Sequence, residues 1–454
     1  MYICIEIKKT KMKYTCTTIS QCILTLFLFG SLSSNAQPAG WTYKVPVQVT
    51  NGSAAPRINY QELITINTQI PIAAGNMLAS GNDIRFIDSC GSVVFQHWVE
   101  SGINTPATKI WVMIPSIPAS STVSFWLFYG NPSAVNTESF PAVFPAAFIT
   151  GGSNVTLTGT QTYDWFRIDA SDTLFIQAGA PLTINARNAV INGVVHGVGR
   201  GNQAPGPNLA GTGTGGGETS VNAGSAGGSY AGTGGSGGFD LGDALAAGGP
   251  IYGTTSGVDS DMGSSGGSGT TEGGSGGGAF DITAEFVLIT GIINVTGDSA
   301  INNGATSRGG GGGSGGCVKV TSDRIQNSGT VTARGGKGAA GSSPASDSGG
   351  GGGGGRIKLL YDAALSGAGV LNSNGGLGGP NGGQGPGQPG ASGTTYSGVM
   401  PFPNNIIVIG SQSIYTTNLS LTLSDPDTAI CAGSPLTVTG SAGFTTYTFY
   451  LNGL

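Results

Sequence analysis

"GGGGGSGGCVKVTSDRIQNSGTVTARGGKG", residues 309–338, joins two kinds of chain: glycine runs, and short runs in which apolar residues recur at every second position. A period of two marks a half-buried strand. Glycine runs alone read as flexible tether. The choice between tether and architecture rests on whether the apolar positions keep register with other parts of the chain.

They do. Aligning "PLTINARNAVINGVVHGVG" (181–199), "AFDITAEFVLITGIINVTG" (279–297) and "CVKVTSDRIQNSGTVTARG" (317–335) puts Leu182, Phe280 and Val318 in one column and Ile184, Ile282 and Val320 in the next. Gly193, Gly291 and Gly329 align, as do Val195, Ile293 and Val331, and a fourth copy places Ile357, Leu359 and Val370 in the apolar columns. The last copies recur at a period that marks solenoids. One copy cannot cover its own apolar face, whereas a stack can. The expectation is a parallel β-solenoid in which glycine serves corners of positive φ or close backbone approach. Between the first two copies lies an excess in "GTGTGGGETS…GGSGTTEGG" (211–274), which reads equally as an inserted surface loop or a degenerate coil.

Outward from this centre the composition changes. Of the 84 glycines, 67 fall between residues 191 and 400, so both ends look globular and the middle does not. A chain of 454 residues exceeds one compact core. From Trp41 to Ala134, short alternating runs such as "YKVPVQVTN", "DIRFID", "KIWVMIP" and "VSFWLFY" are separated by turn residues, at the spacing of a β-sandwich. Four of the five tryptophans lie there. The expected class is all-β: a leader at 1–36, a sandwich at 37–140, a glycine-rich parallel solenoid at 141–400, and the start of an Ig-like sandwich at 401–454, whose strand–turn pattern from Leu419 onward is too short for a whole one, as in a fragment.

Lys8, Lys9, Lys11 and Lys13, then "CILTLFLFG" (22–30), read as a secretory signal cut between Ala36 and Gln37. The apolar run is shorter than the roughly 20 residues of a membrane span, so no stable span is expected. Removing four lysines and one glutamate from the 18 basic and 23 acidic residues leaves 14 against 22. That mildly acidic balance excludes a nucleic-acid footprint. Cys90, Cys317 and Cys431 lie in three different segments, which is neither a disulfide framework nor a local zinc site.

Catalytic motifs are sparse. His97 and His196 sit in no nucleophile motif, and "GGKG" (335–338) lacks the hydroxyl residue and upstream glycine of a phosphate loop. Asp281, Glu285 and Asp323 stand singly beside the strand columns, a weak basis for acid/base work on a polysaccharide. "GGSGGFDLGD" (234–243) occurs once and out of phase with the calcium nonapeptide, so calcium is the one cofactor in view and it lacks support. The sharpest polar group is Asp83, Arg85, Asp88 and Glu100. Its plain reading is an arginine–carboxylate pair tying strands, and its functional reading a sugar or calcium site.

Trp41 and Tyr43 (W-x-Y), Asp83–Phe86 (D-I-R-F), Trp98 and Glu100 (W-x-E), Trp111–Pro115 (W-V-x-x-P) and Tyr129–Pro132 (Y-G-N-P) resemble an uncharacterised domain family of bacterial exported proteins. The resemblance implies a β-sandwich and the company of lectin-like or adhesive modules, with no catalytic residues to carry over. The middle is similar to glycine-rich β-solenoid segments of bacterial surface proteins. The tail, with Cys431 in its I-C-x-G element, resembles an Ig-like repeat of adhesins exported by type IX secretion. The expected function is therefore a secreted or cell-surface adhesin-like or structural protein, not an enzyme. Its sandwich would be a binding head for surface glycans or cell-surface proteins and its solenoid a stalk. The rival is a polysaccharide-active enzyme or carbohydrate-binding accessory, which requires acidic and basic side chains from successive coils in a cleft.

Overall fold

The computed structural model describes residues 40–89, 91, 93–239, 244–301, 308–341, 347–380, 385–402, 405–414, 422–423 and 438–439. The expected leader and its expected cleavage site at Ala36 and Gln37, Cys90, Cys431, and part of the "GGSGGFDLGD" string lie outside these residues. The described chain is nearly all β. Its described residues fall into two compact units, one within Met1–Val143 and Asn405–Leu454 and the other within Phe144–Asn404.

The first unit is an antiparallel sandwich. Its strands are β1 (Tyr43–Asn51), β2 (Arg57–Ile66), β3 (Arg85–Asp88), β4 (Val94–Ser101), β5 (Thr108–Ile117) and β6 (Thr122–Tyr129), with short helices α1 (Gln69–Ala73) and α2 (Phe140–Val143). The strands run in the order β2-β5-β4-β3-β6-β1. β4 pairs β3 through Val94 and Phe95 and passes to β5 from Gln96 onward, so the sheet folds over along this strand. Alternation puts Val45, Val47 and Val49 of β1 inside with Tyr60, Ile64, Phe86, Ile110, Val112, Phe125 and Leu127. Each such aliphatic side chain contributes about 2 kcal/mol by leaving water.

In the second unit the coils stack in parallel. β7 (Ala147–Ile149), β8 (Val155–Leu157), β9 (Gly159–Thr162), β10 (Trp165–Ile168), β11 (Thr173–Ile176), β12 (Leu182–Asn185), β13 (Asn188–Ile191) and β14 (Val194–His196) build its first coils. β15 (Ala279–Ile289), β16 (Ile292–Asn294), β17 (Cys317–Asn327), β18 (Thr330–Thr332), β19 (Arg356–Ser366), β20 (Val370–Asn372) and β21 (Thr394–Val399) continue them. One sheet runs β21-β19-β17-β15-β13-β10-β7 and the other β20-β18-β16-β14-β11-β8. Leu182, Phe280, Val318 and Ile357 form one lateral column and Ile184, Ile282, Val320 and Leu359 another, all buried in a single core.

One column departs from its expected membership. A β-bulge between Ser322 and Arg324 in the β17–β19 ladder adds a residue to the fourth copy. Val331 therefore faces Leu371, while Val370 pairs Thr330 and is 57% exposed.

The glycine runs are architecture of a second kind. In 349–355, the amides of Gly349, Gly352 and Gly355 donate to the carbonyls of Ala339, Gly336 and Ala333. Those of Gly350 and Gly353 donate to Ser225 and Gly228, and those of Gly351 and Gly354 to Gln388 and Ala391. Donors thus point to three different neighbouring segments in turn, each met in steps of three residues. Three residues per turn with no internal bonds is the polyproline II geometry. The same pattern holds in 309–316, where Gly309, Gly312 and Gly315 reach Asp347, Gly350 and Gly353, while Gly311 and Ser314 reach Gly267 and Ser264. These extended helices pack backbone to backbone, leaving no room for a Cβ: one on Gly352 would lie 2.0 Å from the Gly313 carbonyl oxygen. Close approach, not positive φ, is what the runs require, since none of residues 309–316 or 349–355 has positive φ.

The excess between the first copies is an insertion, not a coil, because β12 pairs β15 directly. It is not a surface loop either. Gly224 and Gly227 donate to Gly238 and Gly235, and Ser225 and Gly228 donate to Gly309 and Gly312, which places the insertion within the hydrogen-bonded glycine layer.

The expected third module also begins differently. β22 (Asn405–Ile409) and β23 (Ser413–Ile414) pair antiparallel with β1, adding a strand to the sandwich sheet next to it. Beyond them the described residues comprise only β24 (Thr422–Leu423) paired with β25 (Val438–Thr439), and the remainder of the expected Ig-like sandwich lies outside the described residues.

Candidate functional site

β3 and β4 bring the candidate site together where the sheet folds over. A recess of about 350 Å³ is lined by Trp41, Arg85, Ile87, Val94, Phe95, Gln96, His97 and Thr137. Alternation along β4 sends Phe95 and His97 inward and leaves Val94 and Gln96 exposed. Trp41 is fixed by its indole N–H, which donates to the Asp83 carbonyl at 2.7 Å, and the Arg85 guanidinium lies 5.2 Å from its ring centroid.

Of the four residues singled out from sequence, only Arg85 lines the recess. Its guanidinium donates to the carbonyls of Asn82 (2.8 Å), Ile84 (2.6 Å) and Val135 (2.6 Å), a backbone clamp in place of the expected arginine–carboxylate pair. Burial lowers its pKa, and the Asp83 carboxylate opposes that shift. Asp83, wholly buried, accepts from the amides of Leu78 (3.1 Å) and Gly130 (2.7 Å), tying the turn before β3 to the end of β6. Asp88 accepts from the Val93 amide at 2.9 Å across the β3–β4 turn. Glu100 accepts from the Trp111 indole at 2.7 Å. Each carboxylate holds a different part of the sandwich. Among the described residues, no group of three or more His, Cys, Asp or Glu side chains is placed to hold a metal.

His97 is 3% exposed and packs its ring 5.8 Å from that of Phe86. Burial, helped by the neighbouring Arg85 charge and opposed by Glu138, pushes its pKa down to about 4, so the imidazole is neutral at neutral pH. The lining thus offers an aromatic edge, an immobilised cation, a neutral imidazole, and the exposed amide and hydroxyl of Gln96 and Thr137. It contains no carboxylate. Such a lining can hold a small polar ring but lacks a paired acid and base. In the sequence His97 sits in no nucleophile motif, and nothing local marks Trp41 as a partner of Arg85. The signal available was the W-x-Y element preceding D-I-R-F.

A second polar cluster lies on the outer face of the coil stack. Asp281, Lys319 and Lys358 are lateral neighbours on β15, β17 and β19, and Asp281 pairs Lys319 at 2.7 Å. Asp281 therefore does not stand singly, and the offset that aligns the apolar columns also places Lys319 beside it. Glu285 pairs with Arg187 at 3.6 Å, and Asp323 with its neighbour Arg324 at 2.9 Å.

This cluster is roofed. Residues 251–261 cross it as a strap. Lys358, wholly buried, donates to the carbonyls of Gly257 (3.0 Å) and Asp259 (2.8 Å) and to the Asp259 carboxylate (3.1 Å). Arg356 donates to the carbonyls of Tyr252 (2.7 Å) and Gly253 (3.0 Å), and Lys319 to that of Val258. Burial works to raise the pKa of Asp259, but its bonds with Thr254 and Lys358 outweigh that and hold it below the usual carboxylate range. Beneath the strap, Cys317 is buried and its thiol pKa is raised by burial. The basic side chains of this face, Lys319, Arg356 and Lys358, are bonded here to a covering segment.

Residues 80–169 match the family model described as a domain of unknown function, DUF2341. The matched span takes in Arg85, His97 and all three candidate carboxylates and continues past β6 into β10. It begins after Trp41, so the W-x-Y element lies outside it. Neither a curated protein nor a solved structure matches the chain.

Proposed function

We propose that the protein is a non-catalytic, adhesin-like or structural protein, secreted or held at the outer cell surface, whose sandwich binds a surface glycan in the recess. The observation that carries this reading is the composition of that recess: Trp41 and Arg85 stacked at one wall, exposed Gln96 and Thr137, and no carboxylate. A ring with hydroxyl groups matches an aromatic edge flanked by amide and hydroxyl partners. Among the described residues no helix is long and apolar enough to cross a membrane.

In this reading the coil stack is not an in-line stalk. The chain leaves the sandwich unit at Val143 and re-enters it at Asn405, and Tyr43 pairs Ile414 across the ladder. Along the chain the stack is an insertion between two parts of the sandwich unit, and tension between the chain before β1 and the chain after β23 would be borne by the β1–β23 pairing.

The test is a glycan array probed with the secreted full chain and with Gln96→Ala and Trp41→Ala. Saturable binding is expected for the parent chain, weaker binding for Gln96→Ala and loss for Trp41→Ala. Binding that survives both substitutions unchanged, or no binding on the array, overturns the recess as the site.

A further inference from the structure

Arg85 enters the recess as a cation whose counter-charge lies elsewhere. The side chain is 7% exposed, and among the described residues no carboxylate forms an ion pair with it. Asp83 acts on it only from beyond ion-pair distance, and its carboxylate accepts from the Leu78 and Gly130 amides. Glu138, which acts on His97, accepts from the Val99 amide at 3.0 Å and from the Asn136 side chain. Neither carboxylate lines the recess. Burial lowers the Arg85 pKa against the pull of Asp83, so that carboxylate does not make up for the water the guanidinium has lost.

The guanidinium also has donors to spare. It carries five N–H groups. Nη1 donates to the carbonyls of Asn82 and Ile84, and Nη2 to that of Val135. The Nε hydrogen and the second hydrogen on Nη2 make none of these bonds. Three carbonyls and the Trp41 ring hold the group in place, so an incoming acceptor meets donors that are already fixed.

The carbonyls supply dipoles but no charge, and a buried cation without a counter-charge is costly. A neutral hydroxyl could take up the spare donors and would leave the charge as it is. An anion does both. The rest of the lining adds no charge, since His97 is neutral at neutral pH and Gln96 and Thr137 are uncharged.

We propose that the sugar received by the recess is an acidic one, whose carboxylate or sulfate group is bound by Arg85. This inference rests on the recess being the glycan site and makes charge the basis of its choice. Carboxylate and sulfate share the oxyanion chemistry that a guanidinium recognises, and the two arms of the test separate them.

The experiment probes, with the full chain at neutral pH, an array printed with pairs of glycans that differ only in charge. Uronic-acid oligosaccharides stand beside their methyl esters, and sulfated oligosaccharides beside their desulfated parents. The charged member of a bound pair is expected to bind at least about tenfold tighter, the low end for one close charge pair. Arg85→Gln should bind both members alike. Because that substitution also releases three carbonyls, its fold is checked by circular dichroism, and the pairs on the parent chain decide the matter if it does not fold. Equal binding of both members, or tighter binding of the neutral one, with Trp41→Ala abolishing both, overturns the acidic sugar and leaves the recess as a glycan site. A charge preference retained by folded Arg85→Gln overturns the role of Arg85. No binding to any printed glycan overturns the recess reading and this inference together.

Discussion

The sandwich and the glycine layer of the coil stack meet the same demand, that buried amides and carbonyls find partners, by opposite means. In the sandwich the strands pair edge to edge, and side chains such as Ile64 and Phe86 fill the space between faces. In the glycine layer the amides radiate to three neighbours and the backbones themselves fill the space. A side-chain core has rotamers with which to absorb a change. A backbone core has none.

That contrast breaks most visibly under substitution. Gly352→Ala places a Cβ 2.0 Å from a backbone oxygen, and no rotamer relieves it, so the cost should exceed the usual overpacking range and reach more than about 4 kcal/mol. Ile64→Ala, a deletion in the side-chain core, should cost about 3 kcal/mol. Gly206→Ala, where a Cβ meets nothing within 4 Å, should stay within about 0.5 kcal/mol. Thermal unfolding of the three variants ranks them. If Gly352→Ala behaved like Gly206→Ala, the glycine layer would not be close-packed.

The sandwich responds to pH where the glycine layer has little to titrate. His97 has a folded pKa of about 4, below its unfolded value of 6.5, so the unfolded state binds the proton first. The contribution is complete well above pH 6.5 and falls as pH drops toward 4, by about 1.6 kcal/mol between pH 6.5 and 5. Four of the five tryptophans are in the sandwich, so denaturant titrations followed by their fluorescence report mainly on that unit. His97→Gln should flatten the dependence in that window, and an unchanged slope would assign it to other groups.

The smallest effect sharpens the comparison within the stack, at the strap, where side chains rather than backbone make the closing bonds. Asp259→Ala removes an anchor of the strap, and labelling of Cys317 by a maleimide should accelerate about tenfold, the factor of an opening made roughly 1.4 kcal/mol easier. The unfolding midpoint should hardly move. A Cys317 peptide that labels no faster in the variant would show that Lys358 and Arg356 hold the strap without Asp259.

How much could be read in advance follows the same division. Leu182, Phe280 and Val318 were legible as a column because side-chain burial imposes a pattern that repeats in the sequence. Val370 was assigned in place of Leu371 because a bulge shifts register without leaving a mark in composition. The order of the glycine runs was not legible, since a helix that packs by backbone and a flexible tether are written with the same residue. β22 was assigned to a following module because its pairing with β1 spans the whole insertion, and no local pattern encodes so distant a partner. At the recess, Arg85 was found by its residue type, whereas Trp41 and His97 join it only where β4 folds the sheet over.

The three-residue turn of the glycine helices bears on how such a gene can change in length. Losing or gaining one residue within a run such as 349–355 would rotate every later amide by about a third of a turn, away from its acceptor and toward a different neighbour. A change of three residues restores the phase and only shifts the bonded steps along. Lineages carrying this layer should therefore lengthen and shorten its straight runs in units of three, and vary freely only in the turns that join them.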